Sequence, residues 1–84
     1  MKINYKKRFE KQYKKAPLKI KLAFKKKVKL FLRKPFEPIL HNHSLGGRLK
    51  KYCSIDITGD WRAIYSENKV IVFSALGTHS QLYK

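Results

Sequence analysis

Acidic residues are scarce: five Asp and Glu stand against 21 Lys and Arg in 84 residues, for a formal net charge of +16. A surface this one-sided repels itself and is relieved by counterions or an anionic partner. Cysteine is almost missing. Cys53 stands alone, which excludes an intrachain disulfide and fits a reducing, cytoplasmic setting. The longest mostly apolar run, Val70 to Leu76, is far shorter than the roughly 20 residues a membrane helix needs. Met1 to Tyr13 is charged throughout and lacks the apolar segment of a secretion signal. No internal repeat or low-complexity linker interrupts the chain. A cytoplasmic protein with no membrane partner is expected.

What is present suffices for a fold. The apolar fraction of 43% is ordinary for a globular chain, and the length fits one domain spanning residues 1–84. The charge is lopsided: residues 1–33 hold 14 basic groups and one acid, residues 34–84 seven and four. Lysine-rich helices presented to a polyanion such as nucleic acid, or to an acidic protein, account for that distribution.

Periodicity divides the chain in the same place. Lys2 to Tyr5 reads as a short strand. From Lys6 the pattern turns helical, with Phe9 and Tyr13 four apart and Glu10 spaced to pair with Lys14. Pro17 suits the first turn of a second helix, on which Ile20, Phe24, Val28 and Phe31 recur among lysines. Pro35 and Pro38 end that helix. Period two follows: Leu49, Cys53, Ile55 and Ile57 fall on one face, and Lys50, Tyr52, Ser54 and Asp56 on the other. Thr58-Gly59-Asp60 and Glu67-Asn68-Lys69 are turns, and Trp61 to Tyr65 between them is the returning strand. Val70 to Leu76 is apolar enough to be covered on both faces. The fold class is therefore α+β: an N-terminal two-helix hairpin packed on a small, largely antiparallel sheet of three to four strands.

In such a meander the His43 loop, the Asp60-Trp61-Arg62 turn and His79 after the last strand can converge. Their chemistry matches RNA cleavage by its own 2′-hydroxyl. Imidazole, with an unperturbed pKa of about 6.5, serves as base or acid near neutrality. Guanidinium grips phosphate, and aromatic rings such as Trp61 and Tyr83 stack on unpaired bases. Structural alternatives exist for each residue. Arg62 can pair with Asp56 across the hairpin, Asp60 can shape its turn, and Trp61 can anchor the core. A metal site on His41 and His43 lacks a third His or Cys at a supporting spacing.

Three segments together resemble the YafQ-like branch of the RelE/ParE toxin superfamily. They are Leu40-His41-Asn42-His43-Ser44-Leu45-Gly46-Gly47-Arg48-Leu49, Asp56-Ile57-Thr58-Gly59-Asp60-Trp61-Arg62-Ala63-Ile64-Tyr65 and Gly77-Thr78-His79-Ser80-Gln81-Leu82-Tyr83. The resemblance implies a type II toxin that cuts mRNA in the ribosomal A site without a metal or other cofactor. It also implies contact with ribosomal RNA and an acidic antitoxin as partner. By the same resemblance His79 is the general acid and His43 a base or phosphate ligand. Asp60 orients a histidine and Arg62 holds the scissile phosphate, which makes these four the catalytic set. Arg48, Lys50, Asp56, Trp61 and Tyr83 are the substrate-binding candidates. The branch carries a further acid and His where this chain has Ser54 and Asp56, so His43, Asp56 and Asp60 all remain open as the general base. Two other functions compete: a ParE-like inhibitor of DNA gyrase, and a non-catalytic basic nucleic-acid-binding module.

Overall fold

In the computed structural model, which describes residues 2–83, Pro17 divides the basic half of the chain into two helices. Helix α1 is Lys7–Lys15 and α2 is Leu18–Arg33. Ala16 and Pro17 are both extended, with ψ at 150°, because proline disfavours the helical conformation in the residue before it. Pro17 is thus the residue just before α2 and not part of its first turn. Ile20, Phe24 and Phe31 are buried and Val28 is half-buried, as their spacing predicts. The expected Glu10–Lys14 pair is not formed; among the described residues both ion pairs involve Asp56.

The sheet has five strands where three or four were expected: β1 Ile3–Tyr5, β2 His43–Ser44, β3 Tyr52–Asp56, β4 Trp61–Asn68 and β5 Val70–Thr78. Their spatial order is β1-β5-β4-β3-β2. All neighbours are antiparallel except β1, which lies parallel to β5 with Ile3 opposite Ile71. The strand added at the far edge, β2, is only two residues long. Strand β5 runs two residues past the predicted end at Leu76, and that extension sets His79 at the sheet's rim. A bulge opposite the Ile64/Tyr65 step shifts the register of β4 on β5, leaving Ser74 without a direct partner.

One sheet face is covered by the helices. Ile55, Ala63, Tyr65 and Phe73 meet Phe9, Ile20, Phe24 and Phe31 in the core. Phe73 is fully buried and lies within 6.1 Å, centroid to centroid, of Tyr5, Phe9, Phe24, Phe31 and Tyr65. Gln12 fastens α1 to β5 by accepting the Leu76 amide at 2.8 Å. Lys27 crosses from α2 to donate to the Ile57 carbonyl at 3.0 Å. Leu49 departs from the alternation expected of it. It sits in a 3-10 turn, Gly47–Leu49, and is 44% exposed. The cause lies in Gly46 and Gly47, whose φ values of +69° and +54° turn the chain before β3 begins; only glycine takes the Gly46 conformation without strain.

Tyr65 carries a titration signature of this packing. Burial is the main reason its phenol is pushed up to about 12, and its hydroxyl donates to Asn42 Oδ1 at 2.8 Å. Because the folded value lies above the unfolded one of about 10, burial of the neutral ring stabilises the fold fully below about pH 10. That contribution is lost as pH rises towards about 12. Denaturation midpoints followed between these limits should fall faster for the wild type than for Tyr65→Phe, which has no phenol to ionise.

Candidate active site

The other sheet face is open at one end, and three stretches of chain meet there. The connection after α2 brings His41, His43, Ser44 and Leu45; β4 brings Arg62; and the short helix α3, His79–Leu82, brings His79 with Tyr83 behind it. Together they line a cleft of about 350 Å³. Register explains the selection. Trp61, Ala63 and Tyr65 alternate towards the helices, so Arg62 between them faces the cleft, opposite Asp56 on β3 and Gly77 on β5.

His79 is fixed by its backbone. Thr78 caps α3 with a reciprocal pair of bonds to Gln81, and the His79 amide donates to the Asp60 carbonyl at 2.9 Å. Gly77 makes the close fold-back possible, since a Cβ there would lie 3.0 Å from Gln81 Oε1 and 3.3 Å from a Leu82 methyl. The His79 ring then rests on Tyr83, with centroids 4.7 Å apart. Tyr83 is itself anchored, its hydroxyl donating to the buried Ser54 Oγ at 2.8 Å.

On the opposite wall His43 Nδ1 lies 2.7 Å from the His41 carbonyl. A carbonyl oxygen only accepts, so Nδ1 carries the hydrogen. In the neutral ring the bare nitrogen is then Nε2. The His41 and His43 rings lie with centroids 4.9 Å apart and planes tilted by 38°.

Arg62 is less free than its expected role as a phosphate clamp demands. Its Nε lies 2.9 Å from Asp56 Oδ1. Its Nη1 reaches the carbonyls of Thr58, Gly59 and Trp61 at 3.0, 3.0 and 3.2 Å. Asp56 Oδ1 is buried and receives no well-aligned hydrogen bond, so the Arg62 contact is chiefly one of charge. The guanidinium therefore braces the Thr58–Trp61 turn as well as lining the cleft.

The site residues read from sequence divide accordingly. His43, His79, Arg62 and Tyr83 come together, and Asp56 lies beneath Arg62. Trp61 does not join them. It packs against the core and lines a depression with Gln12, Ala16 and Leu76 on the helix side. Asp60 is exposed, and its link to His79 runs through the backbone carbonyl. Arg48 and Lys50 are exposed in and just after the 3-10 turn and do not line the cleft. His41 does line it, though it was not among the expected site residues. Its spacing of two from His43 was visible in the sequence, but the left-handed turn at His41 that accompanies its place in the cleft was not.

Two further concavities differ in kind. One of about 310 Å³ on the open sheet face is lined by Lys6, Arg8, Tyr52, Ile64 and Ser74, among others. Another of about 370 Å³ lies among Tyr5, Phe9, Tyr13 and Phe24, an aromatic setting without a histidine. Among the described residues no helix is long and apolar enough to cross a membrane, and no cluster of three metal-ligating side chains occurs.

No curated protein matches the sequence. Solved structures do. The chain is similar to YafQ from E. coli strain BL21(DE3), at 24% identity over 98% of this chain and 97% of that one, with a TM-score of 0.84. It is similar to a conserved protein of Helicobacter pylori solved in solution, at 30% identity over 99% of both chains, with a TM-score of 0.65. It also matches the YafQ chain of the E. coli DinJ–YafQ toxin–antitoxin complex, at 26% identity over 98% and 96%, with a TM-score of 0.67. A family model described as the bacterial toxin of a type II toxin–antitoxin system, YafQ, matches residues 1–84. With that match over its full length, the chain belongs to the YafQ family of type II toxins.

Proposed function

We propose that this toxin is a ribosome-dependent endoribonuclease that cuts mRNA by attack of a 2′-hydroxyl on its own adjacent phosphate. One observation carries the reading: two imidazoles, His43 and His79, line a single cleft, and the His43 tautomer leaves Nε2 able to take a proton. His43 removes the 2′ proton as the 2′ oxygen bonds to phosphorus. His79, protonated, gives its proton to the departing 5′ oxygen, leaving a 2′,3′-cyclic phosphate on the upstream fragment. These groups suffice without a metal or other cofactor. Asp56 is a poor competitor for the general base because it is paired with Arg62. Asp60 is exposed, and no hydrogen bond or ion pair of its carboxylate joins it to a histidine among the described residues.

Tyr83 offers its ring for stacking, since its hydroxyl is committed to Ser54. Arg48 and Lys50 are left as cations for the flanking phosphates. The lysine-rich helices lie on the opposite side of the sheet from the cleft, so they suit ribosomal RNA held while mRNA in the A site meets the histidines. The same charge suits an acidic antitoxin, and the likeness to the YafQ of a DinJ–YafQ complex supports such a partner.

Mapping mRNA 5′ ends in a translating extract tests this. The wild type should create new ends within codons, and His79→Ala should lose them by a factor of about 10² or more. Gyrase inhibition without new ends would favour the ParE-like alternative. RNA binding with neither effect would favour a non-catalytic module.

A further inference from the structure

The cleft needs a cation for the phosphorane, and Arg62 supplies it poorly. Its charge is opposed by Asp56, and its Nη1 is shared among three carbonyls. His41 is the group placed to fill that need. Its side chain is 73% exposed, it lines the cleft, and its Nδ1 lies 4.0 Å from Asp56 Oδ2.

Its backbone is unusual. His41 is left-handed, with φ +47° and ψ +46°, a conformation costing a non-glycine residue on the order of 1 kcal/mol or more. The surroundings impose it. The His41 amide donates to Pro38 O at 3.1 Å, and the next residue, Asn42, is clamped between Pro35 O and the Tyr65 hydroxyl at 2.8 Å each. The turn aims the His41 carbonyl at His43 Nδ1. Gly or Asn would meet that backbone demand as well as His, so the imidazole itself is left for another purpose.

We propose that His41 is a substrate-contacting residue, which in its protonated form holds the scissile phosphate while its Nδ1 lies 4.0 Å from Asp56 Oδ2. This rests on the cleavage reading above and adds the contact that reading lacks. The Nδ1 edge faces the carboxylate, and Nε2–H is left for a non-bridging phosphate oxygen. The charged or titratable groups around it are Asp56 on β3, His43 on β2, Arg62 on β4, His79 on α3 and Tyr83 just after it.

The test is salt-dependent binding of the full chain to a short oligoribonucleotide that carries a 2′-deoxy residue at the cut position and so cannot be cleaved. His41→Asn and His41→Gly both keep the left-handed turn, so loss of the fold does not confuse the result. Each should reduce the slope of log affinity against log salt by about 0.7, the value of one phosphate contact on a single strand. His41→Lys should keep the wild-type slope. Cleavage in the translating extract should fall about tenfold or more in the first two variants and recover in the third. A wild-type slope in both His41→Asn and His41→Gly overturns the proposal, even where the wild type cuts mRNA. A wild type that binds with the stated slopes and cuts nothing overturns the cleavage reading and leaves the phosphate contact standing.

Discussion

His43→Gln should lower mRNA cleavage by about 10²- to 10⁴-fold, the usual contribution of a positioned proton acceptor. Its thermal midpoint should stay close to that of the wild type, because the ring is exposed and its one protein bond is to the His41 carbonyl. The pH–rate profile sharpens the test. A neutral imidazole base and a protonated imidazole acid together give a bell. Removing the base should remove the acid-side limb and leave the alkaline limb in place. A variant that loses rate while keeping both limbs would mean that His43 positions the substrate and does not accept the proton.

Arg62→Ala should destabilise the fold by about 3 kcal/mol, the low end for breaking a buried ion pair, because the two side chains keep 17% and 24% exposure. The loss has two sources: Asp56 is left without its counter-charge, and three turn carbonyls lose a donor. Asp56→Asn in the same chain should restore part of that stability by removing the orphaned charge. Chemical denaturation of the single and double variants measures the effect. If Arg62→Ala loses all cleavage and no stability, the guanidinium acts on the substrate and the bracing role is wrong.

The helices were legible because each carries its apolar stripe within its own sequence. Phe9 and Tyr13, and Ile20, Phe24 and Phe31, needed no distant partner to be recognised. Strand β3 was legible as local alternation, β4 by the turn before it, and β5 as a nearly continuous apolar run. What escaped was decided by pairing far along the chain. Lys2 to Tyr5 reads as a strand, but nothing in it announces a parallel seat beside Ile71 to Phe73. His43–Ser44 is too short to show a period and becomes a strand only by lying against Cys53 and Ser54.

The site followed the same rule. His43, His79 and Arg62 were identified by residue type and by resemblance, and the cleft unites them. Trp61 was misplaced because its neighbour Arg62 takes the opposite face, a consequence of register that segment order alone does not reveal. Asp60 was credited with a side-chain role, whereas its contact with His79 is through the backbone. Arg62 met its structural alternative, the pair with Asp56, while still lining the cleft. His41 was passed over because its value depends on a left-handed turn that periodicity does not register.

The most direct measurement of the chemistry uses one altered atom in the substrate. An mRNA carrying a single 2′-deoxy nucleotide immediately 5′ of a mapped cut is translated in extract beside its all-ribose twin, with the wild-type toxin present. Attack by the 2′-hydroxyl predicts that this cut disappears while cuts elsewhere in the message persist. An undiminished cut at the deoxy position would show that the nucleophile comes from outside the substrate, and the roles given to His43 and His79 would not stand.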